Sequence, residues 1–271
     1  MSPPAPSDHP SEGAVSRETT AVSFPGPGAA PDWLRDALPT LVIYGDLLAT
    51  AGVERGLIGP REVPRLWHRH LLNCAVVAAP GGPLPQGCSV VDIGSGAGLP
   101  GLVWALTRPD CRVTLVEPLL RRAEFLLEAV DRLALAERVT VVRARAEDLT
   151  TPADVVTARA VAPLERLADW AMPVVRVGGL LLALKGDRAE AEVDQARASL
   201  TAWGATEISI LVCGSGEVDP PTTVVRVVRG QTGARGSAPR KVPGRGHEKP
   251  RRRSGVEGGT GQVPGQRPGS G

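Results

Sequence analysis

Residues 90–101 read Val-Val-Asp-Ile-Gly-Ser-Gly-Ala-Gly-Leu-Pro-Gly. A β-branched run carrying one acid, Asp92, gives way to three alternate glycines, Gly94, Gly96 and Gly98, followed by Leu99, Pro100 and Gly101. Glycine lets the backbone turn with positive φ and lets a ligand approach without meeting a Cβ. Pro100 suits the first position of a helix, where its missing N–H costs nothing. The unpaired N–H groups of a helix beginning there, at its positive dipole end, suit an anion such as a carboxylate. Such an interaction is worth about 0.3–1 kcal/mol at an exposed site and more when partly buried. The loop by itself fits two cofactor classes. Gly96, Gly98 and Gly101 satisfy the dinucleotide pattern G-x-G-x-x-G, with the acid Glu117 about 20 residues further on. Asp92 also gives the D-x-G-x-G-x-G form found in methyltransferases.

Context separates the two. From Cys88 onward, short β-branched runs alternate with longer helical segments, the signature of a mostly parallel sheet covered on both faces. The strand candidates are Cys88–Ile93, Arg112–Glu117, Val139–Arg143, Asp154–Ala158, Leu180–Lys185, Glu207–Cys213 and Thr222–Val228. Helices are expected over Pro100–Thr107, Leu119–Ala134, Pro163–Val175 and Asp187–Trp203. The last two strands are joined by residues 214–221, too short for a crossover helix, and so should pair antiparallel. Seven strands ending in a hairpin match the α/β sheet of class I, Rossmann-like methyltransferases better than a six-stranded dinucleotide fold. After one sheet domain only a short tail expected to be disordered follows, so the second catalytic domain that many dehydrogenases carry is not expected. Ahead of the sheet, residues 31–86 form a helical preface, with Trp33, Leu34, Leu38, Leu41 and Val42, then Leu66, His70, Leu71, Cys74 and Val77, recurring at helical spacing.

Composition sets the outer limits. The 271 residues are 42% hydrophobic, enough for a packed core. Residues 1–30 and 231–271 are rich in Pro, Gly, Ser and Arg and have little to bury, so both are expected to be disordered. The net charge of +2 hides an asymmetry. Nine Lys or Arg against two acids give residues 231–271 a charge of +7, which leaves −5 on the other 230. No apolar stretch reaches the roughly 20 residues that span a bilayer, and the first residues lack a signal segment; a cytoplasmic, membrane-free monomer is expected. Cys74, Cys88, Cys111 and Cys213 are scattered without Cys-x-x-Cys spacing or attendant histidines, so they read as free buried thiols and no metal is expected.

Several segments together resemble one family, the glucose-inhibited division protein B family of 16S ribosomal RNA guanine-N7 methyltransferases. They are GLIGPREVPRLWHRHLLNC, VVDIGSGAGLPG, LVEPLLRRAEFL, residues 145–148, DVVTARAVAPLERL and GGLLLALKG, spread over residues 56–191. The resemblance implies S-adenosylmethionine as methyl donor and 16S ribosomal RNA or the small ribosomal subunit as partner. It also implies that Gly94, Leu99, Ala146, Glu147 and Arg159 contact the donor or line its pocket. Leu99 stands where many members carry Phe, which keeps an apolar contact and loses an aromatic face.

Read from the residues, Gly96 and Gly98 belong to the same donor site. Glu117, ending the second strand, can accept both hydroxyls of a ribose, or be a solvated strand-end acid. Residues 146–148 can bracket an adenine or simply lie at the surface. Guanine N7 has an in-plane lone pair and no proton, so no general base is needed and no catalytic residue is assigned. Alignment can supply on the order of 7–11 kcal/mol. Consistent with this, the fourth strand is followed neither by the Asn/Asp-Pro-Pro-aromatic segment of amine methylation nor by a Pro-Cys nucleophile. Arg159 occupies that position and can bind guanine O6, a phosphate or the donor carboxylate. Lys185 ends the fifth strand beside the same cleft, as a functional group or a solvated lysine. Trp67, His68, Arg69, His70 and Asn73 form either an RNA-facing lid or a helix capped against the sheet. Arg121, Arg122, Arg143, Arg145 and the basic tail are candidate phosphate contacts. Two other functions remain open: a class I methyltransferase acting on a small molecule or protein, and a non-catalytic ribosome-assembly factor.

Overall fold

In the computed structural model the described residues are 30–231, together with Phe24, Gly26 and Pro27; the two segments expected to be disordered otherwise lie outside them. Seven strands form one sheet: β1 (Ser89–Ile93), β2 (Arg112–Val116), β3 (Val139–Val142), β4 (Ala153–Arg159), β5 (Val175–Lys185), β6 (Ala205–Cys213) and β7 (Thr222–Arg229). Their order is β3-β2-β1-β4-β5-β7-β6, and β7 alone runs against the rest, pairing antiparallel with both β5 and β6. The sheet is the one expected. Because the chain moves outward from β1 to β3 and then returns to place β4 on the other flank of β1, the carboxyl ends of β1 and β4 form the switch point where open α/β sheets bind ligands.

Side chains alternate across each strand, so neighbouring apolar residues enter opposite cores. Val90, Leu115, Leu180, Leu182 and Val224 pack on one face; Val91, Ile93, Leu181, Ala183 and Val225 pack on the other. The second face is covered by α5 (Leu164–Ala171) and α6 (Ala189–Ala202). The first is covered by α3 (Gly101–Thr107), α4 (Leu120–Arg132) and the helical preface. Asp92, between Val91 and Ile93, therefore points toward the preface.

The preface is less regular than its sequence suggests. It contains α1 (Leu38–Leu47) running into a π-helical turn at Leu48–Gly52, a 3-10 turn at Pro60–Arg65, a second π-helical turn at Leu66–Leu72, α2 (Asn73–Ala75) and a 3-10 turn at Val76–Ala78. Pro60 and Pro64 lack the N–H groups that a continuous helix would use, and Pro64 sits just ahead of the second π turn. Wider π turns bring Leu66, Trp67, Leu71 and Leu72 all into the core. Specific bonds tie the preface to the sheet domain: Trp104 Nε1–H donates to the Cys74 carbonyl at 2.9 Å, and the Thr222 hydroxyl donates to the Asn73 carbonyl at 2.7 Å. Phe24 lies within the segment expected to be disordered, yet its ring is buried against Gly45, where a Cβ would come within 2.6 Å of it.

Two boundaries differ from expectation. α5 ends at Ala171 rather than reaching Val175, because Pro173 cannot continue the hydrogen-bond ladder, and β5 begins there, five residues early. The added stretch includes Gly178 at φ +77 and a register shift against β4. All four cysteines are free and buried, as expected. Among the described residues no helix is long and apolar enough to cross a membrane.

Gly101 shows how closely α3 seats on the sheet, since a Cβ there would lie 2.5 Å from Leu115 Cδ2 and 2.7 Å from Asp92 Oδ2. Gly101→Ala should lower unfolding free energy by about 1–3 kcal/mol through overpacking, measured by denaturant titration. Wild-type stability in that variant would show that α3 can shift freely.

Candidate functional site

The loop after β1 is built by hydrogen bonds that its sequence only partly announces. Ser95, buried and bonded on two sides, is its hub: its hydroxyl donates to the Asp92 carbonyl at 2.8 Å and accepts the Val116 N–H at 3.1 Å. Gly94 and Ser95 N–H groups donate to the Val116 carbonyl, and Gly98 N–H donates to the Ser95 carbonyl at 2.6 Å. Gly94, Gly96 and Gly98 have φ of +66, +56 and +95, the left-handed region that L side chains avoid. At Gly94 a Cβ would press on Val161 and at Gly98 on Leu102 and Tyr44. At Gly96 the nearest atom would be 3.8 Å away, so that position is open for a ligand to approach. Tyr44, from the preface, donates its hydroxyl to the Ala97 carbonyl at 2.6 Å.

The helix start behaves differently from expectation. α3 begins at Gly101, with Pro100 as the preceding cap residue after a cis Leu99–Pro100 bond. Its first N–H groups are already used: Gly101 donates to Asp92 Oδ2 at 3.0 Å and Leu102 to the Gly98 carbonyl at 2.8 Å. The expected anion seat on free helix-terminal amides is therefore occupied by the protein's own carboxylate.

Asp92 is fully buried, and its Oδ1 has no hydrogen-bond partner. Burial pushes its pKa from 3.8 up to about 7, with the Gly101 N–H and the charge of Arg159 pulling back only part of the shift. A cationic or hydrogen-bonding ligand group beside Oδ1 would satisfy it. Glu117, buried at the end of β2, accepts Gly96 N–H through Oε2 and Leu119 N–H through Oε1, both at 3.0 Å. It is thus a loop-bracing group as well as an acceptor with lone pairs to spare, and it is not a solvated acid. Ala146, buried, and Glu147, exposed, open a 3-10 turn after β3. Leu99 is partly buried against the preface-side core.

Arg159 ends β4 and is followed by Ala160 at φ +54, an uncommon conformation for a residue with a Cβ. Its guanidinium turns back onto the preface, reaching Cys74 Sγ (3.1 Å), the Arg69 carbonyl (3.3 Å) and His70 Nδ1 (2.7 Å). Burial raises the pKa of Cys74 and of Tyr44, and in both cases Arg159 opposes the shift. Lys185 is not the solvated lysine of the second alternative. Its ammonium donates to Glu192 Oε2 at 2.7 Å and to the Ala162 carbonyl at 2.9 Å, fastening the segment after β4 to α6. The same Glu192 oxygen accepts Leu164 N–H. Burial alone would raise the pKa of Glu192, but these bonds hold it below its ordinary value. Trp67 is buried, His70 bonds inward to Arg159 and the Asn73 backbone carbonyl accepts from Thr222, while His68 and Arg69 are exposed.

The loop, Glu117, Ala146–Glu147 and Arg159 thus come together from the carboxyl ends of four adjacent parallel strands. Sequence reading missed Ser95 and Tyr44; the only available signal for Ser95 was a lone hydroxyl inside a glycine run, and nothing in the text pairs Tyr44 with Ala97. A groove of about 650 Å³ lies elsewhere, between residues 79–83 and the outer strand β6, and none of the loop residues lines it. Arg121, Arg122, Arg143 and Arg145 are exposed near these strand ends, Arg121 reaching the Glu54 carbonyl and Arg143 the Pro118 carbonyl.

Comparison with known proteins gives a consistent picture. The model of the GidB family, described as rRNA small subunit methyltransferase G, matches residues 37–219. The protein named ribosomal RNA small subunit methyltransferase G in Streptomyces avermitilis is 53% identical over 234 residues, 84% of this chain and 97% of that one. Its namesake in Thermobifida fusca is 53% identical over 80% of this chain and 93% of its own. That of Rhodococcus jostii is 56% identical over 69% and 82%. Among solved structures, a mitomycin 7-O-methyltransferase aligns with 19% identity and a TM-score of 0.49, over 73% of this chain and 69% of that one.

Asp92 supplies a pH signature. Its folded pKa of about 7 exceeds the ordinary 3.8, so the native state holds the proton more tightly and stability falls as pH rises between those values. Asp92→Asn keeps an acceptor for Gly101 and removes the titration. Its thermal midpoint should gain on wild type between about pH 4 and pH 8, and a gap independent of pH would contradict the assignment.

Proposed function

The chain belongs to the rRNA small subunit methyltransferase G family, and on that premise we propose that it methylates N7 of a guanine in the RNA of the small ribosomal subunit. As a methyltransferase of this family it uses S-adenosylmethionine, which when bound supplies a methyl group on a positively charged sulfur. The observation that carries the reading is the convergence of the glycine loop, Glu117, Ala146–Glu147 and Arg159 at one end of the sheet.

In this reading the residues divide the work by position. Gly94, Gly96, Gly98 and Leu99 form the floor on which the donor lies, with Gly96 leaving the closest approach. Asp92, buried beneath the loop with Oδ1 unpartnered, would stand under the donor's cationic end. Glu117 keeps its two backbone bonds and accepts ribose hydroxyls on its remaining lone pairs. Ala146 and Glu147 bracket the adenine. Arg159 holds guanine O6, or the phosphate beside it, and so sets the angle at which N7 meets the methyl carbon. No side chain has to remove a proton, because N7 carries none. The work of the protein is alignment and exclusion of water, effects that reach on the order of 7–11 kcal/mol in favourable systems.

Arg121, Arg122, Arg143 and Arg145 would meet RNA phosphates around the same mouth, giving salt-dependent affinity. All of these residues come from one chain, so the proposed site is complete in a monomer acting in the cytoplasm.

The test is transfer of labelled methyl from S-adenosylmethionine to unmethylated small subunits, followed by location of the modified base. Label at guanine N7 supports the reading; label only on a protein or small molecule, or none at all, overturns it. Arg159→Ala should lose more than about tenfold in transfer, beyond what its loss of the Cys74, Arg69 and His70 contacts takes from the folded fraction at the assay temperature, and activity within about twofold of wild type would remove Arg159 from the site.

A further inference from the structure

The preface carries a run of polar residues, Glu62, Arg69 and His70, that no step above uses. Their geometry fixes the position of every relevant proton. Arg159 Nη2 lies 2.7 Å from His70 Nδ1. A guanidinium donates and cannot accept, so Nδ1 must be the accepting nitrogen. The ring proton is therefore on Nε2, which lies 3.0 Å from Glu62 Oε2 and donates to it. The result is a directed chain: Arg159 donates to His70, and His70 donates to Glu62.

Only the neutral ring can hold this chain together. An imidazolium carries N–H on both nitrogens, leaves Arg159 without its acceptor and places two cations 2.7 Å apart. The charged and titratable groups around the ring are Arg159 from β4, Glu62 from the 3-10 turn at Pro60–Arg65, Arg69 on its own turn and Cys74 across the guanidinium. Burial and the Arg159 charge push the His70 pKa below 6.5 against the opposing pull of Glu62, so the ring is neutral at pH 7. The His70 bond in turn holds Glu62 below its ordinary value.

The backbone points the same way. Ala160 at φ +54 fixes the direction of the chain directly after Arg159, so the guanidinium is constrained at its root by strand geometry and at its tip by the preface. Its bonds to Cys74, the Arg69 carbonyl and His70 place it against the preface, and its charge lowers the pKa of Asp92 beneath the glycine loop.

We propose that His70, oriented by Glu62, is the positioning residue for Arg159, holding the guanidinium beside the donor loop and releasing it when the ring takes up a second proton. The proposal rests on the role assigned above to Arg159 in methyl transfer. It gives the enzyme a pH-dependent aim: activity falls as pH drops through the His70 pKa, because the form that is lost is the neutral acceptor.

The experiment is a pH profile of methyl transfer to unmethylated small subunits for wild type, His70→Ala, His70→Asn and Glu62→Gln, with thermal melts of each. Asn carries an acceptor oxygen near the place of Nδ1 and does not titrate. Wild type should show an acid limb set by one group with a pKa below 6.5. His70→Asn should lose that limb and keep activity within about threefold at pH 7.5, while His70→Ala should lose about tenfold or more at pH 7.5, with its gap to wild type narrowing on the acid side. Glu62→Gln should fall between them. A wild-type acid limb persisting in His70→Asn, or His70→Ala activity within about twofold of wild type, overturns the proposal. Should wild type transfer no methyl to small subunits, the functional reading fails separately, and the positioning contact is then judged by proton resonance titration of the ring. Removing the cation in Arg159→Met should raise the His70 pKa; an unchanged titration would show that the two groups do not meet.

Discussion

The bond from the Gly101 N–H to Asp92 Oδ2 joins the end of β1 to the first turn of α3, and the shape of the loop between them follows from it. A carboxylate taken wholly out of water is costly, and the raised pKa of Asp92 is the sign of that cost. What the protein gains is a rigid bend at the switch point of the sheet. Gly101 must lack a Cβ for α3 to come close enough to be gripped, and Ser95 must close the loop from inside by bonding both Asp92 and Val116. Glu117 then braces the outer side through Gly96. One acid on β1 thus organises the turn, the helix start and the neighbouring strand, and its second oxygen is left buried without a partner.

The same carboxylate faces the preface, which is why the helical extension is part of the site rather than an appendage. Tyr44 holds the loop at Ala97, Trp104 ties α3 to Cys74, and Arg159 crosses from β4 to His70 and Arg69. A fully buried tyrosine or tryptophan contributes both apolar area and one satisfied bond, the latter worth about 1 kcal/mol net, so these contacts hold the preface on the sheet firmly while aiming its polar residues at one place. The opposite face, with α5 and α6, has no such role beyond the Lys185–Glu192 pair, which anchors the segment following Arg159.

How much of this could be read from the text depends on the range over which each feature acts. Alternation within strands is local, so Val90 and Val91 announce a sheet buried on both faces, and the terminal hairpin is fixed by the length of residues 214–221. The glycine loop is also local, and its three positive φ values were legible from residue type. Long-range partners were not. No spacing rule pairs Asp92 with the helix-terminal amide that seemed free for an anion, or Lys185 with both Ala162 and Glu192, or His70 with an arginine 89 residues away. The preface reads at 3.6 residues per turn, which leaves the side of Trp67 open, and the π turn places it in the core. Pro173 offered a signal for the early end of α5 that the apolar run around it masked. The family resemblance located Leu99, Ala146 and Arg159 where the loop and Asp92 alone pointed only to a nucleotide-like ligand.

The claim on which everything else stands is that the methyl donor lies on the loop at Gly96, where the fold leaves room for a ligand and none of its own atoms needs that space. Calorimetric titration of S-adenosylmethionine into wild type and Gly96→Ala tests it most directly, with thermal melts alongside. The account predicts saturable one-to-one binding by wild type, weakened at least about tenfold by the added methyl group while the fold persists. Equal affinity in the two proteins, or no binding by wild type, would contradict it.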